Sequence, residues 1–200
     1  MQTPKTNEKI LEIARSILAS DGLNAVSFDE IARRLGKSKQ AVLYWFPTKR
    51  DLLAAMLQPW LEAEADVAVG SVAHTHQRDE AIVAFVRALA AFHLSDLDRF
   101  RMMYLLPQTI SPGAQGARDT RPFERIYPVT GKIYGALAAH LGGDERSARR
   151  EAVAIHSAVL GLVVMFGLAD GLKDPLKHTE NELVEALAAQ LSGTSKPASE

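Results

Sequence analysis

The chain has 200 residues, 47% apolar and 24% charged, an ordinary globular composition with ample material for a buried core. It contains no cysteine, which excludes disulfides, thiolate metal sites and cysteine nucleophiles. The net charge of −1 hides an asymmetry: residues 1–50 hold nine Lys or Arg against five acids (+4), and the rest holds 14 against 19 (−5), so a polyanion would be drawn to one end only.

The opening residues MQTPKTNEKI have no apolar h-region, so no signal peptide is expected, and the expected location is the cytoplasm. No segment keeps a period of two beyond a few residues, and no hairpin signal appears. The chain reads as helical throughout. A first helix is predicted over 7–20, with Ile10, Ala14, Ile17 and Leu18 as its apolar stripe and Asp21-Gly22 as its stop.

Ser27-x-x-Glu30 then reads as a capping box, flanked by Val26 and Ile31 at hydrophobic-staple spacing. Phe28, Ile31, Ala32 and Leu35 give one apolar face. Gly36 stands where a left-handed residue closes a helix. Ser38 can cap the next helix, which Pro47 ends, and Thr48 can cap another.

Longer helices follow. One over 49–69 contains Pro59 and should kink there. After a loop at 71–77, helices are predicted over 78–94 and 96–106. A Gly/Pro/Ser loop covers 107–119. The next helix, 120–141, has Pro122 in its first turn and Pro128 as a second kink. Gly142-Gly143 breaks the chain before helices over 144–170 and 179–191, the last opened by the capping box Thr179-x-x-Glu182. The uncharged run 152–169 borders on membrane-span length. His156, Ser157 and two glycines within it favour a buried or interface helix, so no membrane partner is expected. The tail SGTSKPASE should fray. The fold class expected is all-α, with about nine helices.

Helix, glycine turn and helix between Ser27 and Phe46 is the layout of a helix-turn-helix, whose second helix enters the major groove. At about 100° per residue, Val42, Trp45 and Phe46 cluster on one side of that helix. Gln40, Leu43 and Tyr44 lie on the other, with Lys39 and Ala41 on the flanks. Lysine suits guanine or phosphate, glutamine suits adenine, and a phenol suits phosphate. Ser38 and Lys39 sit at the helix N-terminus, where an anion is favoured.

These residues resemble the TetR family of bacterial transcriptional regulators. The resemblance rests on Gly22, Ile31-Ala32, Gly36-x-Ser38, the aromatic end Tyr44-Trp45-Phe46, and Thr48-Lys49-Arg50-Asp51-Leu52-Leu53, and covers about residues 7–53. It implies a three-helix DNA-binding domain at 1–48. It also implies a helical ligand-binding and dimerisation domain at 49–200, a homodimer on a double-stranded DNA operator, and release by a small-molecule effector. Carried over by position, Ser27, Tyr44 and Lys49 would contact phosphate, while Ser38, Lys39 and Gln40 would face bases or nearby phosphates. Lys37 adds charge close to the backbone, where the family has a small apolar residue. Ala41 and Leu43 stand where members commonly carry Thr and Tyr. Leu43 could touch a thymine methyl or pack on the following helix.

The same resemblance implies that the last two helices form the dimer interface. Ala154, Ala158, Gly161 and Met165 recur at helical spacing, and Leu183, Leu187 and Leu191 could complete a four-helix contact across a two-fold axis. Candidates for an effector pocket are Trp60, Phe85, Leu89, His93, Met102, Met103, Phe123, Tyr127, Tyr134 and His156. His93 and His156 could orient a ligand, but on apolar helices the preferred reading is hydrogen-bonded core histidines. His74-x-His76 has no carboxylate at ligand spacing, so neither a metal nor a cofactor is expected. No nucleophile elbow, zinc-protease motif or phosphate loop occurs, so no enzyme is expected. A helix-turn-helix adaptor without a ligand is the alternative, favoured by a filled core in the second domain. An enzyme on the helical domain stands behind it.

Overall fold

The structure, a computed structural model, describes residues 5–105, 127–172 and 177–194. Among these the regular structure is helical: α1 (Thr6–Asp21), α2 (Phe28–Leu35), α3 (Lys39–Trp45), α4 (Lys49–Val72), α5 (Arg78–Leu94), α6 (Leu97–Phe100), α7 (Tyr127–Leu141), α8 (Glu145–Leu172) and α9 (Glu180–Ser192). A 3₁₀ turn, Leu23–Ala25, follows α1, and a π turn, Arg101–Leu105, continues α6. The nine expected helices therefore have counterparts here. The predicted loop 107–119, the start of a helix at residue 120 with Pro122 and Phe123, and the last residues of the tail lie outside the described residues.

Two compact units divide the described chain, residues 5–59 and residues 60–105 with 127–172 and 177–194. In the first, α1 packs on α2 and α3, and α2 packs on α3. Ile10, Ala14, Ile17 and Leu18 of α1 are buried, as the apolar periodicity requires. Val26 and Ile31 are almost fully buried on either side of the Ser27 cap, which is the packing a hydrophobic staple needs.

In the second unit α5 is the central helix. It packs against α7, α8 and α9, and α7 packs on α8. Its buried residues include Ile82, Phe85, Val86, Leu89 and His93, so apolar groups face several neighbours rather than one. The Thr179 box forms in full: Thr179 Oγ1 accepts the Glu182 amide at 3.2 Å, and Glu182 accepts the Thr179 amide at 2.7 Å. Pro59 lies inside α4, which continues to Val72, three residues beyond the predicted end. Proline removes one ladder bond, yet the helix continues, with Met56 and Leu57 before it and Leu61 and Ala65 after it all buried. The predicted helix 96–106 is instead one turn of α-helix followed by the π turn.

Candidate nucleic-acid interface

The turn between α2 and α3 is set by local chemistry. Ser27 Oγ accepts the Glu30 amide at 3.1 Å and opens α2. Only half of the expected capping box forms, because the Glu30 carboxylate does not reach back. It accepts instead from Arg33 at 2.6 and 2.8 Å and from Arg34 at 2.7 Å. Two guanidiniums at i+3 and i+4 outbid one neutral amide, and they hold the carboxyl down at about 2. Gly36 closes α2 with φ 67° and ψ 33°, and the Lys37 amide donates to the Ala32 carbonyl at 3.0 Å. Ser38 Oγ then accepts the Ala41 amide at 3.3 Å and starts α3.

That geometry brings part of the predicted set together. Ser27, Lys39 and Lys49 line one concavity of about 260 Å³, with Asn24 and Asp29 beside them. Lys37, Ser38 and Gln40 are exposed, and Tyr44 is 80% exposed. Leu43 is half-buried. Lys39 Nζ donates to Asp29 Oδ2 at 2.8 Å with both side chains well exposed. A surface pair of this kind contributes about 0–1 kcal/mol, so a phosphate could displace it at little cost.

One expectation fails here. Trp45 is 44% exposed, whereas Val42 and Phe46 are buried. With only seven residues in α3, the buried face is a single i, i+4 pair. Trp45 falls at its edge and meets Tyr44 edge to face at 5.4 Å. Two contacts escaped the sequence reading. Arg15 donates to the Met56 carbonyl at 3.3 Å, and Asp29 holds the lysine assigned to DNA.

In the second unit the notable site is polar and buried. Glu64 of α4 is fully enclosed, as is His93 of α5, and His156 of α8 is 2% exposed. Glu64 Oε1 lies 3.1 Å from His93 Nε2 and 2.9 Å from His156 Nε2. Tyr104, in the π turn, donates to both carboxylate oxygens at 2.6 and 2.7 Å. Burial raises the Glu64 carboxyl, but the hydrogen bonds from His156 and His93 outweigh it and hold it at about 2. Burial, then the Glu64 charge, pushes the Tyr104 phenol well above its usual value, so it remains a donor. Glu64 was legible in principle: it shares a helical stripe with Leu61, Ala65 and Ala68, all buried. Its place within Glu62-Ala-Glu64-Ala-Asp66 hid that signal.

Among the predicted effector residues, Phe85, Leu89 and His93 are fully enclosed and Met103 nearly so. Trp60, Met102 and Tyr134 are half-buried. The Phe123 and Tyr127 side chains lie outside the described set. A surface groove of about 420 Å³ between α5 and α9 is lined by Arg87, Leu94, Glu180 and Val184, and none of the predicted effector residues lines it. The residues predicted for the dimer interface leave a face of α8 uncovered. Ala154 and Gly161 are exposed, Ala158 is half-buried and Met165 is 49% exposed. Val164 and Leu168 extend the same apolar strip. Leu183, Leu187 and Leu191 of α9 are half-buried. By length and composition alone α8 could cross a membrane, with 33% of its apolar window buried.

Residues 10–56 match the family model of bacterial regulatory proteins, tetR family. No curated protein matches the chain in sequence. Solved structures match over nearly the whole length. A candidate regulatory protein, SCO4313, aligns with a TM-score of 0.69 at 21% identity, over 96% of this chain and 100% of its own. A tetR-family regulatory protein from Rhodococcus RHA1 aligns with a TM-score of 0.64 at 16% identity, over 98% and 100%. A TetR variant from Acinetobacter baumannii AYE, solved in complex with minocycline, aligns with a TM-score of 0.61 at 15% identity, over 96% of each chain. At these identities the likeness is one of fold.

Proposed function

From membership of the tetR family of bacterial regulatory proteins, to which this chain belongs through residues 10–56, and from the DNA-binding regulatory role that goes with it, we propose a cytoplasmic repressor that binds a palindromic operator as a homodimer and is released by a small molecule. The observation that carries the DNA-binding part is the gathering of Ser27, Lys39 and Lys49 around one concavity, beside exposed Gln40 and Tyr44. Backbone-directed cations position such a unit, and groups on the face of α3 read bases. The uncovered apolar strip on α8 supports pairing of two chains, since a face of this kind is seldom left to water. Two-fold pairing would set two α3 helices on half-sites about one helical turn apart.

Release by an effector has its support in the A. baumannii structure, which holds minocycline in the same fold. A ligand-independent adaptor is the second reading, favoured by the complete enclosure of Phe85, Leu89 and His93.

Selection of bound sequences from a random DNA pool tests the first part. The expected product is an inverted repeat, bound with an affinity that falls steeply with salt. Recovery of no common sequence, together with a salt-independent affinity, would remove the operator reading. Native mass spectrometry of protein purified from its own host separates the other two: a retained small molecule supports the sensor, and a bare chain that no compound library stabilises supports the adaptor.

A further inference from the structure

Three helices of the second unit each send one donor to a single buried point. Glu64 comes from α4, His93 from α5 and His156 from α8, and their ligand atoms all lie within 4.8 Å of one another. Both imidazole Nε2 atoms address the same carboxylate oxygen, at 3.1 and 2.9 Å. Ligands bound to one tetrahedral Zn²⁺ at 2.0–2.1 Å stand about 3.3 Å apart, close to the two Glu64 contacts, and the remaining separation, within 4.8 Å, closes by about 1.5 Å at most to complete a coordination shell.

The donor types narrow the occupant. Two imidazoles and one carboxylate suit Zn²⁺, Fe²⁺, Co²⁺ or Ni²⁺ and not Ca²⁺ or Mg²⁺, which take oxygen ligands. Tyr104 donates to both Glu64 oxygens and so fixes the carboxylate plane, as an orienting partner of a metal ligand does. His93 Nδ1 is buried with no hydrogen-bond partner, so it is the Glu64 carboxylate that holds the ring proton on Nε2, and a cation bound there takes over that contact. Moving that proton to Nδ1 leaves Nε2 with a lone pair for a cation. Phe85 stands edge-on to His156 and Phe100 to His93, which keeps the shell around the donors apolar.

We propose that Glu64, His93 and His156 bind one divalent first-row transition cation per chain. Two neutral imidazoles and one carboxylate leave the ion with one net positive charge, compatible with a fourth ligand such as water. Metal binding would stabilise the second unit by tying three helices together. The proposal stands apart from the effector reading, since its readouts involve neither DNA nor an effector.

The test uses the full chain, stripped of metal and titrated with Co²⁺ and Zn²⁺. Expected are one equivalent of Co²⁺ per chain, visible absorption from a four- or five-coordinate ion, and a rise in melting temperature with Zn²⁺. Glu64→Gln and His156→Gln, checked for helicity by circular dichroism, should weaken binding about 100-fold or more. Tyr104→Phe should weaken it by about 10- to 100-fold. A His74→Ala/His76→Ala double variant should bind as the parent does. With ¹⁵N-histidine-labelled parent protein, Co²⁺ should displace the ring resonances of His93 and His156, which identifies the ligands even where a variant fails to fold. No binding at micromolar metal overturns the site. So does binding that vanishes with His74 and His76, or displacement confined to other histidines.

Discussion

On the proposed reading, Lys49 and Gln40 would divide between them the two tasks that a reader of DNA must perform. Lys49 sits in the concavity with Ser27 and Lys39, whereas Gln40 is exposed in the first turn of α3. Lys49→Ala should therefore weaken binding to all sequences alike and reduce the slope of log affinity against log salt by about 1. Gln40→Ala should instead relax preference at one base pair, at about 1–3 kcal/mol. Operator titrations at several salt concentrations check both, and an unchanged slope in Lys49→Ala would remove its phosphate role. Leu43 is the residue whose task is least fixed by position: it stands half-buried where the family resemblance implies a hydroxyl, so operator preference is the part of that resemblance that transfers least.

At the level of elements, the turn at Gly36 and the proline inside α4, Pro59, carry the sharpest expectations. The Gly36 backbone is left-handed, and no atom lies within 4 Å of an added Cβ. Gly36→Ala should therefore cost only the backbone strain, about 1–2 kcal/mol, read as a lower denaturation midpoint at an unchanged slope. Pro59→Ala returns an amide to α4, at the boundary between the two compact units. We expect this change to alter effector-induced operator release more than operator affinity itself. Equal affinity and equal release in the variant and the parent would dismiss a role for Pro59 in coupling.

These elements also show what a sequence reveals and what it hides. Ser27, Gly36, Ser38 and Thr179 act within a few residues of themselves, so their caps and turns were legible. The missing half of the Ser27 box was not, because the outcome depended on Arg33 and Arg34 competing for Glu30. Trp45 departs from its helical-wheel side because α3 is only seven residues long, and Val42 with the C-cap residue Phe46 already forms its buried contact. The Glu64 cluster was illegible for a different reason: its partners are 29, 40 and 92 residues away, and no local pattern records such a meeting.

For the whole molecule, the uncovered strip on α8 makes association the central expectation. Met165 and Leu168 are 49% and 53% exposed in the single chain. A Met165→Glu/Leu168→Glu double variant should sediment as a monomer and lose tight operator binding, because each half-site alone provides only part of the contact. Retention of the dimer would move the interface elsewhere.

The pairing of Asp29 with Lys39 bears on how the protein would search a genome. If Lys39 faces DNA as proposed, the carboxylate resting on it would work as an internal decoy for phosphate. Contact with phosphate would then leave the Asp29 carboxylate unpaired beside the duplex, and its repulsion would offset part of what the lysine contributes. Random DNA would be bound slightly less well for it, whereas a site that fits α3 would offset the loss through base contacts. Asp29→Asn should accordingly tighten binding to random DNA more than to the operator and steepen the salt dependence of both, a loss of discrimination measurable by competition with bulk genomic DNA.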